Sequence, residues 1–159
     1  MKTIQLLQAG SDSNRTAAKP DRFDVVDLGP FDNNRNDVLA VNDAGQCAGV
    51  CLNQDTGRIE AFRQDSARRS MLGTLGGSFS VAHALNNAGV VVGASLTTGD
   101  ESFHGFLCVD DKLYDLNEFL DPNENWEVMQ AVAINNKGEI IAVASHAEGD
   151  RIVVLKPRT

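Results

Sequence analysis

The sequence predicts an all-β chain of three repeated four-stranded antiparallel units, propeller-like, with an N-terminal strand completing the last unit. Three observations predict it. The phrase ALNNAG (84–89) has two near copies, AVNDAG (40–45) and AINNKG (133–138). A second phrase begins 18 residues after each anchor asparagine, Asn42, Asn86 and Asn135, at Glu60, His104 and Val153. A third phrase, Asp27-Leu28-Gly29, Met71-Leu72-Gly73 and Asp115-Leu116-Asn117, recurs at a spacing of 44. A repeat of roughly 40–50 residues with four strands has the size of a propeller blade.

The elements follow in chain order. Residues 1–21 are polar and read as a flexible tail, leaving 22–159 as a single three-repeat domain. FDVVDLGPF, Phe23 to Phe31, is a copy of the third phrase with no unit before it. The last unit lacks that copy, since Leu155 plus 10 is 165 and the chain ends at Thr159. The two chain ends are therefore expected to share one sheet.

Each Asn-x-x-Gly phrase is the turn between a first and a second strand. The asparagine side chain bonds the backbone two residues on, and the glycine supplies positive φ at a bulge. In the middle unit the strands are read as Val81–Leu85, Val90–Leu96, Phe103–Val109 and Leu113–Phe119. The second strands are apolar on both faces and carry Gly49, Gly93 and Ala142 at matched places. Such a strand is covered on both sides, and its small residues suit close approach of another sheet.

Residues 84–95 (ALNNAGVVVGAS), 104–106 (HGF) and 72–77 (LGTLGG) resemble the HAF repeat. That bacterial repeat has the pattern I-N-x-x-G-x-V-V-G-x-S, then H-A-F, then D-L-G-T-L-G-G. The resemblance spans about Phe23 to Lys156. It implies a propeller-like fold and an extracellular setting, and it brings no chemistry with it. The chain departs from the pattern in placing a histidine at only one of three sites, His104. It also opens with MKTIQLLQAG, whose apolar run is shorter than the roughly 7–15 residues of a secretory segment. A cytoplasmic location is expected on that ground.

Composition excludes several classes. Hydrophobic residues make up 42%, enough for a core. The formal charge is 14 − 22 = −8, which argues against sequence-independent nucleic-acid binding. Arg63, Arg68 and Arg69 are the nearest thing to a basic patch and read as a solvated turn. No apolar run approaches the roughly 20 residues of a membrane helix. Cys47 and Cys51 lie about 13 Å apart along a strand, too far for a disulfide, and Cys108 has no evident partner. Three buried, reduced thiols are expected, and no C-x-x-C pair offers a zinc site.

Chemistry, where there is any, belongs on one rim. The first–second and third–fourth connections are tight turns, whereas the second–third and fourth–first loops are longer and dissimilar. Dissimilar loops on a regular scaffold are where binding concentrates. The candidate ligand-binding residues there are Trp126, His83, His104, His146, Asp100 and Glu101. Trp126 can stack on a sugar, anchor a partner, or fold back to plug a sheet end. The imidazoles, with Asp100 or Glu101, suit a transition metal by chemistry, but no tight spacing such as H-E-x-x-H occurs. The acidic stretches 31–37 and 121–125 offer oxygen ligands without the EF-hand pattern. No G-x-S-x-G elbow or P-loop is present.

The expectation is a non-catalytic binding module, its partner a protein or a carbohydrate, with no cofactor. The alternatives are a metal-dependent enzyme using the histidine rim and a structural oligomerisation module. Closed propellers have about 4–8 blades. Three units therefore point either to a homodimer with a ring of six or to a compact three-unit monomer.

Overall fold

The computed structural model describes residues 18–27, 37–66 and 68–158. The chain divides at Pro30/Phe31. In the first part, residues 18–27 form neither strand nor helix and are exposed. The strand expected over Phe23–Phe31 is thus not formed over Phe23–Asp27, which enters no ladder, and 28–31 lie outside the described residues.

The second part is nearly all β. Its strands are β1 (Asp37–Val41), β2 (Cys47–Leu52), β3 (Ile59–Gln64), β4 (Arg69–Gly73), β5 (Gly76–Leu85), β6 (Val91–Thr97), β7 (Phe103–Val109), β8 (Lys112–Asp115), β9 (Glu127–Ile134), β10 (Ile140–His146) and β11 (Gly149–Leu155). Strands β1 to β4 pair antiparallel in sequence order, as do β5 to β8 and β9 to β11. The first two groups are joined into one sheet by a single parallel pair, Ile59 with Phe79, and the last three strands stand as a separate sheet. Among the described residues no closed barrel or propeller ring is present. No helix there is long and apolar enough to cross a membrane.

The groups stack face to face. Ala48, Ala61 and Leu72 of the first meet Ala82, Leu85, Val91 and Phe106 of the second. Val92 and Leu116 of the second meet Val128, Ala131 and Ala142 of the third. Three bulges sit in matched places, in β1 between Val38 and Ala40, in β5 between Ala82 and Ala84 and in β9 between Ala131 and Ala133. All three cysteines are buried thiols.

The three Asn-x-x-Gly turns share the same bonds from their backbone N–H groups to the asparagine oxygen. Asn42 Oδ1 accepts from the backbone N–H of Ala44 and Gln46, Asn86 Oδ1 from Ala88 and Val90, and Asn135 Oδ1 from Lys137 and Glu139. Gly45, Gly89 and Gly138 stand at φ 77°, 77° and 78°. The turns also bond to one another. Asn42 Nδ2 donates to the carbonyl of Asn86 (3.0 Å), and Asn86 Nδ2 donates to that of Asn135 (3.2 Å). One residue on, the N–H of Asp43 donates to Asn87 Oδ1, and that of Asn87 to Asn136 Oδ1. The separations of 44 and 49 between the sequence phrases are the separations of these bonded pairs.

Gly89→Val is expected to lower stability by about 1–3 kcal/mol, because a β-branched residue is strained at positive φ. Its Cβ would also stand 3.1 Å from Gln46 Oε1. Ala88→Ser, at an exposed place in the same turn, should be near neutral. Chemical denaturation of the pair checks this, and overlapping curves would refute it.

Candidate functional site

The rim opposite the asparagine turns is built by the β2–β3, β6–β7 and β10–β11 connections and by the long β8–β9 connection. Two features shape the last of these. Strand β8 stops at Asp115 because its carboxylate accepts from the backbone N–H of Asn117, starting a 3-10 turn over Leu116–Phe119. The expected strand Leu113–Phe119 is shortened for that reason. Asn117 then clamps the start of β9, donating to the Val128 carbonyl (3.0 Å) and accepting from its N–H (2.6 Å).

His104, at the start of β7, lies between two carboxylates. Its Nδ1 meets Asp115 and its Nε2 meets Glu127 at 3.2 Å. Both ring nitrogens are therefore engaged. Trp126 precedes Glu127, and its ring lies against His146 with centroids 4.4 Å apart and planes 32° apart. Trp126 also packs on the core between β5–β8 and β9–β11. It is half-buried, as a ring folded back onto a sheet end would be.

The other candidates fall elsewhere. Strand β5 is longer than expected, running from Gly76 opposite Thr97 to Leu85 opposite Val91. His83 thereby sits near the asparagine-turn end, away from His104 and His146. It is half-buried, and burial pushes its pKa below the ordinary value. The folded protein thus resists protonating His83, and as pH falls below about 6.5 the unfolded chain takes the proton first and that part of the stability is lost. Asp100 is spent on its own loop. Its two oxygens accept from the Ser78 N–H and hydroxyl, both at 2.7 Å, and these bonds hold its pKa below the usual value. Glu101 follows it and is exposed.

The structure thus gathers Trp126, His146 and His104 around Glu127 and does not bring His83, Asp100 or Glu101 to them. Among the described residues no group of three or more His, Cys, Asp or Glu side chains is placed to hold a metal ion. The acidic stretch 31–36 lies outside the described residues. Of the arginine cluster, Arg68 and Arg69 are exposed at the β3–β4 turn, whereas Arg63 is largely covered and reaches Asp111 at 2.7 Å; Arg68 reaches the same carboxylate at 3.4 Å, and Arg69 lies over the Phe62 ring at 4.4 Å.

Sequence reasoning passed over Asp115, Glu127 and Glu60. Glu60 stands at the place of His104 in the first group, buried, with Asn53 and Thr56 donating to its two oxygens at 2.9 Å. The equal 18-residue offset was the signal that pairs it with His104.

The space between the β8–β9 connection and the last sheet runs to the asparagine-turn end, where Asn86 and Gly138 line it. A cleft of about 730 Å³ is floored by Leu107, Leu116, Phe119, Ile134 and Ile140. Asp121 and Glu124 stand on its lip with Lys156 and Arg158. A smaller hollow of about 270 Å³ shares Leu120 and Leu155 with it and reaches Trp126 and Val128. Compared with known families, with characterised proteins and with solved structures, the chain matches none.

Proposed function

We propose that this chain is a non-catalytic binding module of propeller type, made of three repeated units, whose ligand is an extended protein segment. The resemblance of residues 72–106 to the HAF repeat adds to the reading of the units.

One observation carries the choice of ligand: the cleft at Phe119, which adjoins the hollow at Trp126 through Leu120, Glu124 and Leu155. Its apolar floor and charged lip have the anatomy of a protein interface, where anchors bury in the centre and polar groups ring them. A carbohydrate is less well served, because it wants an open aromatic face and Trp126 already lies against His146. A metal-dependent enzyme finds less support, since both nitrogens of His104 are committed to carboxylates.

The test uses phage-displayed random peptides selected on the wild-type protein. Selected peptides should shift the emission of Trp126, the one tryptophan in the chain. They should bind Phe119→Asp at least about tenfold more weakly, the loss of roughly 1.4 kcal/mol. Phe119 is 61% exposed, so the change falls on the cleft and not the core. Peptides that bind both proteins equally, or ligands found only on a glycan array, would overturn the proposal.

A further inference from the structure

The stack has two unlike ends, and each shows what the other lacks. Within the chain, the first strand of one group lies over the second and third strands of the group before it. Strand β5 lies over β2 and β3, and β9 lies over β6 and β7. The residues that β5 buries there are Ala82 and Leu85, and those of β9 are Ala131 and Ile134. The residues 44 places before Ala82 and Leu85 are Val38 and Val41 in β1. Among the described residues these have no sheet beneath them, and they are 45% and 67% exposed.

At the other end the floor is bare. Ala48 of β2 and Val92 of β6 are each buried under the next first strand. The next step, 92 + 49, is Ile141 of β10, which is 41% exposed. Ile141 pairs with Val154 and Val143 with Ile152, so these four share the face of the last sheet that points away from the core. Val154 and Ile152 are 53% and 80% exposed.

The asparagine ladder ends in the same way. In the first turn the Asn42 amide uses one N–H for Gln46 Oε1 and the other for the Asn86 carbonyl. In the last turn the Asn135 amide gives one N–H to Glu139 Oε2 at 2.7 Å, and among the described residues no further turn stands there to take the other. Asn136 has an N–H to offer where Asp43 and Asn87 each donate to the following turn. The matching acceptors are the Asn42 carbonyl and the Asp43 carboxylate of the first turn. Asp43 and Lys137, exposed on the first and last turns, add opposite charges.

We propose that the bare face of β10–β11 takes β1 of a second copy of this chain, with the Asn135–Gly138 turn bonded to the partner's first turn. Two such contacts close a twofold ring of six groups. The contact continues the packing and the ladder that already join the groups within one chain. A twofold arrangement satisfies both open ends at once, which a single head-to-tail contact does not. The inference rests on the stacked reading of the groups; Val154 also lines the cleft and is left unchanged in the test.

Sedimentation and light scattering test it with Val41→Lys and Ile152→Lys, both at exposed sites where the fold tolerates a charge. The wild-type protein should have twice the 17.1 kDa chain mass. Each variant alone should fall to the single-chain mass, with circular dichroism showing it folded. A one-to-one mixture should recover the doubled mass, because one copy keeps its β1 and the other its bare face. Wild-type protein at single-chain mass throughout, or a mass that grows without limit, would overturn the proposal. So would a Val41→Lys protein that stays dimeric, since the contact would then join like faces. Both variants should still bind the peptides that Phe119→Asp loses, so failure of either reading leaves the other to stand.

Discussion

Phe106→Ala is expected to destabilise the protein by about 3–5 kcal/mol. The Phe106 ring is fully buried and belongs to the cluster that joins the first two strand groups. Removing it opens a cavity in a cluster where Ala48, Ala61 and Ala82 are too short to fill the space. In a chain of this size each kcal/mol lowers Tm by roughly 2–4 °C, so a fall of at least about 6 °C is expected by circular dichroism. Phe119→Ala, on an exposed ring, should move Tm far less. If Phe106→Ala melts with the parent, the ring is not the link between the sheets.

Gly93→Ala should be as damaging by the opposite route. A Cβ at residue 93 would stand 1.9 Å from the Val81 carbonyl oxygen and 2.9 Å from two carbons of the Phe106 ring. The first neighbour is backbone in the regularly paired stretch of β5 and has no side-chain freedom to retreat. Overpacking of this kind costs about 3 kcal/mol or more. Because the two residues touch, the changes should not add. In the double variant Phe106→Ala relieves the ring contact while the carbonyl contact stays. A denaturant-melt cycle checks this, and strict additivity would refute the coupling.

What could be read from the sequence was mostly local. The anchor asparagines and turn glycines obey short-range rules, so their backbone conformation follows from the residue types alone. The bonds from one turn to the next were not legible, although their bonded pairs have the same spacing as the phrases. Local rules say what an Asn side chain does to its own turn and nothing about its second N–H. The small residues were expected to mark close approach of another sheet, but at Gly93 the atoms that come close belong to β5 and β7, its neighbours in the same sheet.

The candidate site was harder. His83 was expected at the wrong end because β5 starts five residues earlier than its apolar pattern does, at Gly76 rather than Val81. Paired glycines and serines hide a strand from hydrophobicity. Asp100 looked available because Ser78, the group that binds it, is 22 residues away. Trp126 carried two readings, stacking platform and plug, and the His146 contact favours the second while leaving it on the wall of a hollow. The cleft itself was invisible in the sequence, because a concavity between two sheets belongs to no one segment.

The buried thiols give the molecule a chemical clock. Cys108 is 1% exposed, and burial pushes its pKa up to about 11. Alkylation proceeds through the thiolate, so at neutral pH the folded protein offers a reagent almost nothing. Reaction at Cys108, which sits in the cluster between the first two strand groups, must wait for those groups to part. Cys47 and Cys51 sit in β2, and β9–β11 has no cysteine. The rate of labelling at Cys108 therefore times the parting of the first two groups, and the last sheet can loosen without setting off that clock.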